Sequence, residues 1–303
     1  MCVSLKERGH SVRAVIRANA NPAIAGAHDT FPVEEIGPAT DWQYAFEGIE
    51  TIVHLAGRVH IVRDKAKDPL SEFRKVNVAG TERLAIQAAH AGVKRFVFIS
   101  SVKVNGEETH GNAFSELDQP DPKDSYGISK WEAEQALGRI ARQTGLEVVI
   151  LRPPLVYGPG VKGNFLTMLK ALRRGVPLPL GAMTNCRSLL YVENLVDALV
   201  LCASHPAVAG ETFLVSDGED VSTPQLLRQL GEALGIPARL LPLPTSIVRL
   251  GGKVLGKAQE LERLLGSLVV DTRKFRNQLG WRPPFSLAQG LEKTGHWFKG
   301  NQV

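Results

Sequence analysis

Cysteine is scarce in this chain. Cys2, Cys186 and Cys202 are the whole complement, they form no Cys-x-x-Cys pair, and an odd count does not suit a disulfide framework. Reduced thiols in a cytoplasmic protein are expected. Long apolar runs are missing as well. No stretch approaches the roughly 20 apolar residues of a spanning helix, so no membrane partner is expected. The opening MCVSLKERGH lacks the apolar centre of a secretion signal and turns charged at Lys6. None of the eight histidines falls in HExxH or in a Cys/His ligand spacing, which predicts no metal. His54 reads as a hydrogen-bonded core residue. The net charge is +5, but the basic residues are spread along the chain rather than gathered in a stripe, so no nucleic-acid partner is expected. Internal repeats and low-complexity segments are also absent.

What is present is a rhythm. Ser11 to Arg17, Thr51 to Ala56, Lys94 to Ser100 and Leu146 to Leu151 are strand-like apolar runs. Ala39 to Phe46, Leu70 to Ala91 and Ser125 to Thr144 carry helical periodicity, the last two followed by the stop signals Gly92 and Gly145. Apolar strands alternating with helices predict an α/β fold, a parallel sheet covered on both faces. After Pro153 the rhythm breaks into a turn-rich loop, helices at 164–174, 193–204, 224–234, 271–279 and 286–299, a strand at 187–192 and another at 211–215. The Leu/Pro segment Leu240 to Leu250 reads as a packed loop-helix rather than a membrane-surface or partner helix. Asp217 and Glu219 read as a solvated turn.

Tyr126 and Lys130 form a Tyr-x-x-x-Lys pair at the start of the third helix, and a four-residue offset puts both on one face. A tyrosine has a reference pKa near ~10. A neighbouring ammonium favours the phenolate, which makes it a base for an alcohol proton. Ser100 and Ser101 end the strand KRFVFISS, where parallel sheets present their ligand crevice. A serine there is placed to hold the oxygen that Tyr126 deprotonates.

The segments HLAG (54–57), NVAGT (77–81), FISSVKVNG (98–106), YGISK (126–130), LRPPLVYGPG (151–160), RSLLYVENLVDA (187–198) and LGWRPPFSLAQGL (279–291) follow one another over nearly the full chain. In that order they resemble the extended short-chain dehydrogenase/reductases, the group of nucleotide-sugar epimerases, dehydratases and 4-keto reductases. The resemblance implies a Rossmann-type doubly wound parallel sheet with a smaller C-terminal substrate lobe. Residues 1–155, with returning segments about 187–215, would form the dinucleotide-binding domain. Residues 156–303 would form most of the substrate lobe.

It also implies roles. Ser101, Tyr126 and Lys130 would be catalytic, with Ser101 also touching substrate and Tyr126 and Lys130 also touching the NAD or NADP cofactor. Leu55, Ala56 and Gly57 would pass under that cofactor, Asn77 and Ser100 would support the sheet end beside it, and Pro153 would border the nicotinamide. Arg187 would grip the diphosphate of a UDP-sugar, with Asn164 as a second donor. Asn105 stands where the resembling epimerases commonly carry Tyr, and would alter the sugar pocket wall. Relatives that pair through two long helices imply a homodimer, with Leu70 to Ala91 and Ser125 to Thr144 as the pairing helices.

Two departures matter. The family opens with a strand and a Gly-x-x-Gly-x-x-Gly turn, whereas CVSLKERGHSVRAVIR resembles the end of the first helix followed by the second strand. A sheet without its first strand and poor cofactor binding are therefore expected. Arg17 ends the second strand, where an acid would favour NAD and an arginine accommodates the 2′-phosphate of NADP, so the expectation tilts toward NADP(H). The expected activity is hydride transfer at C4 of a UDP-hexose or UDP-N-acetylhexosamine, as in UDP-glucose 4-epimerases. The alternatives are an NADPH-dependent 4-keto reductase, a non-catalytic cofactor sensor or scaffold on the same fold, and a steroid or flavonoid-type alcohol dehydrogenase. A dehydratase is disfavoured, because Val102 and Lys103 follow Ser101 where acid and base residues are needed.

Overall fold

The computed structural model describes residues 1–59, 66–254, 256 and 258–301. Four strands form the central parallel sheet: β3 (Thr51–His54), β4 (Arg95–Ile99), β5 (Glu147–Arg152) and β8 (Thr212–Leu214), side by side in that order. Side chains alternate between the faces of a strand, and this sheet uses both. Phe96, Phe98, Val148 and Ile150 point to one face, where they meet Leu84, Ala85 and Ala88 of α3 (Thr81–His90) and Ala133, Leu137 and Ile140 of α4 (Ser125–Thr144). Val97, Val149, Leu151 and Phe213 point to the other, against Ala198, Leu199 and Cys202 of α6 (Val192–Ser204) and Phe275 and Leu279 of α10 (Arg273–Leu279).

A separate two-stranded parallel sheet pairs β1 (Arg13–Arg17) with β2 (Asp29–Val33). Among the described residues no strand joins β1 to β3, so these two sheets are separate. The short helix α1 (Cys2–Glu7) precedes β1 and packs against α6.

The long helix expected from Leu70 to Ala91 is helical throughout but not uniform. It opens as α2 (Pro69–Phe73), capped by Asp68, passes through a π-helical stretch at Arg74–Gly80 and continues as α3. Gly80 is required there, since a Cβ would lie 2.8 Å from Ile36. The helix expected at Ala39 to Phe46 does not form. One 3-10 turn at Gln43–Ala45 suffices to bury Trp42, Ala45 and Phe46, whose spacing of three and four residues looked helical.

The second lobe has its own core. β6 (Leu155–Tyr157) pairs in parallel with β7 (Leu189–Tyr191). Helices α5 (Gly163–Arg173), α7 (Thr223–Leu234) and α11 (Leu287–Gly300) pack Phe165, Leu169, Leu227, Leu230, Leu291 and Phe298 around Tyr157 and Tyr191. Ser222 with Gln225 and Ser286 with Gln289 make capping boxes that start α7 and α11. Asp217 is not on a solvated turn. It is buried and accepts from Tyr157 Oη (3.0 Å), the Tyr191 amide (2.9 Å) and Asn194 Nδ2 (2.8 Å). The Leu240 to Leu250 segment also departs from expectation. It leads into α8 (Thr245–Val254), yet only Val248 of its large apolar side chains is buried, while Leu241, Leu243, Ile247 and Leu250 are exposed. α9 (Ala258–Leu265) follows.

Candidate active site

Three backbone features deliver the reactive side chains to one place. β4 ends at Ile99, and Ser101 then caps the 3-10 turn Val102–Val104 by accepting from the Lys103 amide at 3.2 Å. Asp124 caps α4 by accepting from the Gly127 amide at 2.8 Å, which sets Tyr126 in its first turn. Lys130 lies one turn further, buried, its Nζ donating to the Ile99 carbonyl at 2.7 Å and standing 4.4 Å from the centre of the Phe98 ring. The Ser101 hydroxyl lies close enough to Tyr126 to act against the rise of its pKa.

The loop after β3 crosses this lysine. A Cβ on Gly57 would come within 3.0 Å of Asn77 Oδ1 and 3.6 Å of Lys130 Nζ. Asn77, buried in the π-helical stretch, ties the loop down. Its Oδ1 accepts from the Arg58 amide (2.7 Å), and its Nδ2 donates to the Arg58 carbonyl (2.9 Å) and to Ser129 Oγ (3.0 Å). π-bulges recur at functional sites because the extra residue redirects side chains. Leu55, Ala56 and Gly57 are exposed along the same loop, whereas His54 is buried and bonded to Thr81 Oγ1 at 3.1 Å. Pro153 is buried, and its carbonyl accepts from the Val102 amide at 3.0 Å, joining the end of β5 to the Ser101 turn.

Burial governs the electrostatics. It raises the Tyr126 pKa to about 12, with Asp124 adding to the rise and the Ser101 hydroxyl opposing it. It lowers Lys130 to about 8, against the pull of Glu134, and His54 to about 3, with Lys130 adding to the fall. The expected lowering of Tyr126 by Lys130 is therefore not present in this state. The ammonium lies 6.0 Å from the centre of the tyrosine ring and is engaged with the Ile99 carbonyl, so the resting tyrosine is neutral.

Arg187 sits at the edge of the second lobe, just before β7. Its Nη1 donates to the carbonyls of Arg263 (2.7 Å) and Gly266 (2.8 Å). Burial lowers its pKa, and Glu108 acts against this. The Arg263 guanidinium reaches Asp124 (4.0 Å) and Glu107 (3.9 Å), and Lys103 pairs with both carboxylates. Arg263 thus links the Arg187 corner to the cap of the Tyr126 helix. Sequence reasoning missed it, because its segment carries no recognisable motif.

Several expected residues behave otherwise. The Ser100 hydroxyl is buried and donates to Glu134, so it faces inward rather than toward a ligand. Asn105 is buried too, accepting from Arg152 Nη1 (3.1 Å) and donating to the Ser115 carbonyl (2.8 Å), which removes it from a pocket wall. Asn164 lies exposed in the first turn of α5, and Arg17 is exposed at the end of β1. Among the described residues no hydrogen bond joins either to the cluster around Tyr126.

A nicotinamide dinucleotide fits part of this site. The bare Gly57 backbone beside Lys130 permits the close approach that a ribose and nicotinamide need. The chain carries no Gly-x-x-Gly-x-x-Gly turn for the pyrophosphate. Among the described residues there is no cluster of His, Cys, Asp and Glu suited to a metal.

Residues 1–216 match the model of the NAD dependent epimerase/dehydratase family. The chain is 46% identical to a UDP-glucose 4-epimerase of Vibrio cholerae over 88% of this chain and 82% of the relative. It is 31% identical to the N-acetyl-alpha-D-glucosaminyl-diphospho-ditrans,octacis-undecaprenol 4-epimerase of Escherichia coli O157:H7, over 86% of this chain and 82% of that one. Its fold is similar to that of MoeE5 in complex with UDP-glucose and NAD, with a TM-score of 0.77 and 26% identity over 99% of this chain and 94% of the other. The chain therefore belongs to the NAD dependent epimerase/dehydratase family.

Proposed function

We propose that the chain is a nucleotide-sugar 4-epimerase that uses NAD and acts on a UDP-hexose or UDP-N-acetylhexosamine. The observation that carries this reading is the convergence of Ser101, Tyr126 and Lys130 at the end of β4, linked through Arg263 to the Arg187 corner. The sheet half, 1–155 with 187–215, would hold the dinucleotide, and the 156–303 lobe the sugar diphosphate. Gly57, Asn77 and Lys130 would hold the nicotinamide ribose. When bound, the nicotinamide supplies a hydride acceptor in its oxidised form, a hydride donor in its reduced form and a positive charge beside the tyrosine.

The residues of the chain do the rest. With the Lys130 ammonium and the charge a bound nicotinamide would add favouring its phenolate, Tyr126 Oη would take the proton of the C4 hydroxyl and return it to the C4 oxygen after the sugar has turned over. Ser101 Oγ holds that oxygen in line. Lys130 keeps a positive charge at the site below a pH of about 8 and grips the ribose. Arg187, with Asn164 reaching from α5, would bind the diphosphate, for which a guanidinium has the right donor geometry. Arg17, exposed at the end of β1, also has the chemistry to accept a 2′-phosphate, so NADP(H) is the alternative cofactor.

Arg187→Ala tests the substrate class. It should lower kcat/KM for UDP-glucose by about a hundredfold, the scale of losing a charged hydrogen-bond partner, and leave oxidation of a neutral alcohol almost unchanged. Equal losses on both substrates would overturn the diphosphate role.

The corner recognises a diphosphate rather than what is attached beyond it. The E. coli relative is named for a sugar carried on undecaprenol diphosphate. A lipid-linked sugar diphosphate is therefore a second reading, favoured by the exposed apolar side chains of the 241–250 segment.

A further inference from the structure

Leu241, Leu243, Ile247 and Leu250 are exposed within ten residues of one another, Ile247 at 53% and Leu250 at 64%. Ile247 and Leu250 are three apart on α8 and share a face. A neighbouring segment extends the same surface. Leu178 forms a parallel bridge to Leu240, its amide donating to the Arg239 carbonyl and its carbonyl accepting from the Leu241 amide, both at 2.8 Å. Val176, two residues away, is exposed as well. Single exposed leucines are ordinary, but a cluster on adjoining segments marks a contact surface.

The two segments that carry these side chains are rich in positive charge. Residues 170–183 and 239–253 contain Lys170, Arg173, Arg174, Arg239, Arg249 and Lys253 and no Asp or Glu. Among the described residues Arg249 pairs with Glu262 at 3.1 Å, and the Arg173 guanidinium lies over the Phe298 ring. Apolar side chains ringed by Lys and Arg are the composition of a segment that lies in the interface of an anionic bilayer. A second copy of this chain would instead bring like charges together around the same face. The position also has meaning. α9 follows α8 directly, and the carbonyls of Arg263 and Gly266, at and just past its end, hold the Arg187 guanidinium.

We propose that the surface formed by Val176, Leu241, Leu243, Ile247 and Leu250 docks on an anionic lipid bilayer, bringing the Arg187 corner close to the membrane surface. This is peripheral contact, since no helix of the described chain is long and apolar enough to cross a membrane. It deepens the second reading above, in which the sugar diphosphate is carried by a lipid. The docking itself does not depend on which sugar is turned over.

The test is co-sedimentation of the full chain with vesicles of equal parts phosphatidylcholine and phosphatidylglycerol, and with phosphatidylcholine alone. The wild type should sediment with the mixed vesicles and much less with the neutral ones. Ile247→Glu/Leu250→Glu should reduce binding at least roughly tenfold, given the apolar area removed from the contact. Arg239→Gln/Arg249→Gln/Lys253→Gln should weaken it by roughly fivefold per charge near the surface. Turnover of UDP-glucose in solution, followed in parallel, should be the same for all three proteins. Vesicle binding without that turnover would sink the soluble-substrate reading and leave docking standing. A wild type that stays in the supernatant, variants that bind as well as the wild type, or a wild-type dimer that falls apart in the Glu variant without any vesicle binding, would each overturn the proposal.

Discussion

In the proposed function the chemistry turns on Tyr126, and its surroundings set a pH sign. Burial holds its pKa at about 12, so in the protein without added cofactor the base form grows as the pH rises. Tyr126→Phe should lower turnover by about a hundredfold or more while leaving the fold intact, read from initial rates beside a thermal melt. His54 gives a stability prediction of opposite character. Its pKa is depressed from 6.5 to about 3, so the stability that it contributes as a neutral ring is fully present above pH 6.5 and is lost as the pH falls through 3. At pH 4 the loss approaches about 3 kcal/mol. A His54→Asn variant lacks this dependence, so its melting temperature should converge on that of the wild type as the pH is lowered from 7 to 4. A constant gap would show that the ring is solvated. Tyr126, Lys130 and Ser101 were legible because their spacing and strand-end position are written locally. Glu134, Arg152 and Asp217 were not. Glu134 meets Arg152 from another element (2.5 Å and 3.0 Å), and Asp217 meets donors from three others, so no local pattern announces them.

At the scale of elements, the strands were the most readable part. The apolar runs of β4 and β5 are buried on both faces, which is why their composition stood out. The helix of the Ala39 to Phe46 reading failed because a single 3-10 turn can bury the same three side chains without nucleating a longer helix. The π-helical stretch at Arg74–Gly80 was invisible in the periodicity, yet it carries Asn77, which holds the Gly57 loop over Lys130. Asn77→Ala should leave the Arg58 amide and carbonyl without that partner. The expected cost is about 1–3 kcal/mol of stability, with cofactor affinity falling alongside, measured by denaturant melts and NAD titration. In the second lobe, Asp217→Ala strips Tyr157, Asn194 and the Tyr191 amide of their buried acceptor. It should cost about 3 kcal/mol or more by the same reasoning, and a loss below about 1 kcal/mol would mean that water replaces the carboxylate.

For the whole molecule, the strands of the described residues lie in separate parallel sheets. β4 is flanked by strands on both sides, whereas β1 is paired with β2 alone. Hydrogen exchange should therefore find the β4 amides most protected and those of β1 among the fastest of the strands. Arg263 joins the Arg187 corner to Asp124, so in the proposed function the diphosphate end and the reacting end of a substrate would be set by the same contacts. The account rests on that geometry working as an epimerase. The decisive measurement is the incubation of the purified chain with NAD and UDP-glucose, followed by separation of the sugar nucleotides. The account predicts UDP-galactose accumulating to a fixed ratio from either side, with no net reduced cofactor, and no conversion by Tyr126→Phe. Conversion unaffected by Tyr126→Phe, no conversion with NAD present, or a stoichiometric consumption of NADPH on a 4-keto sugar would contradict it.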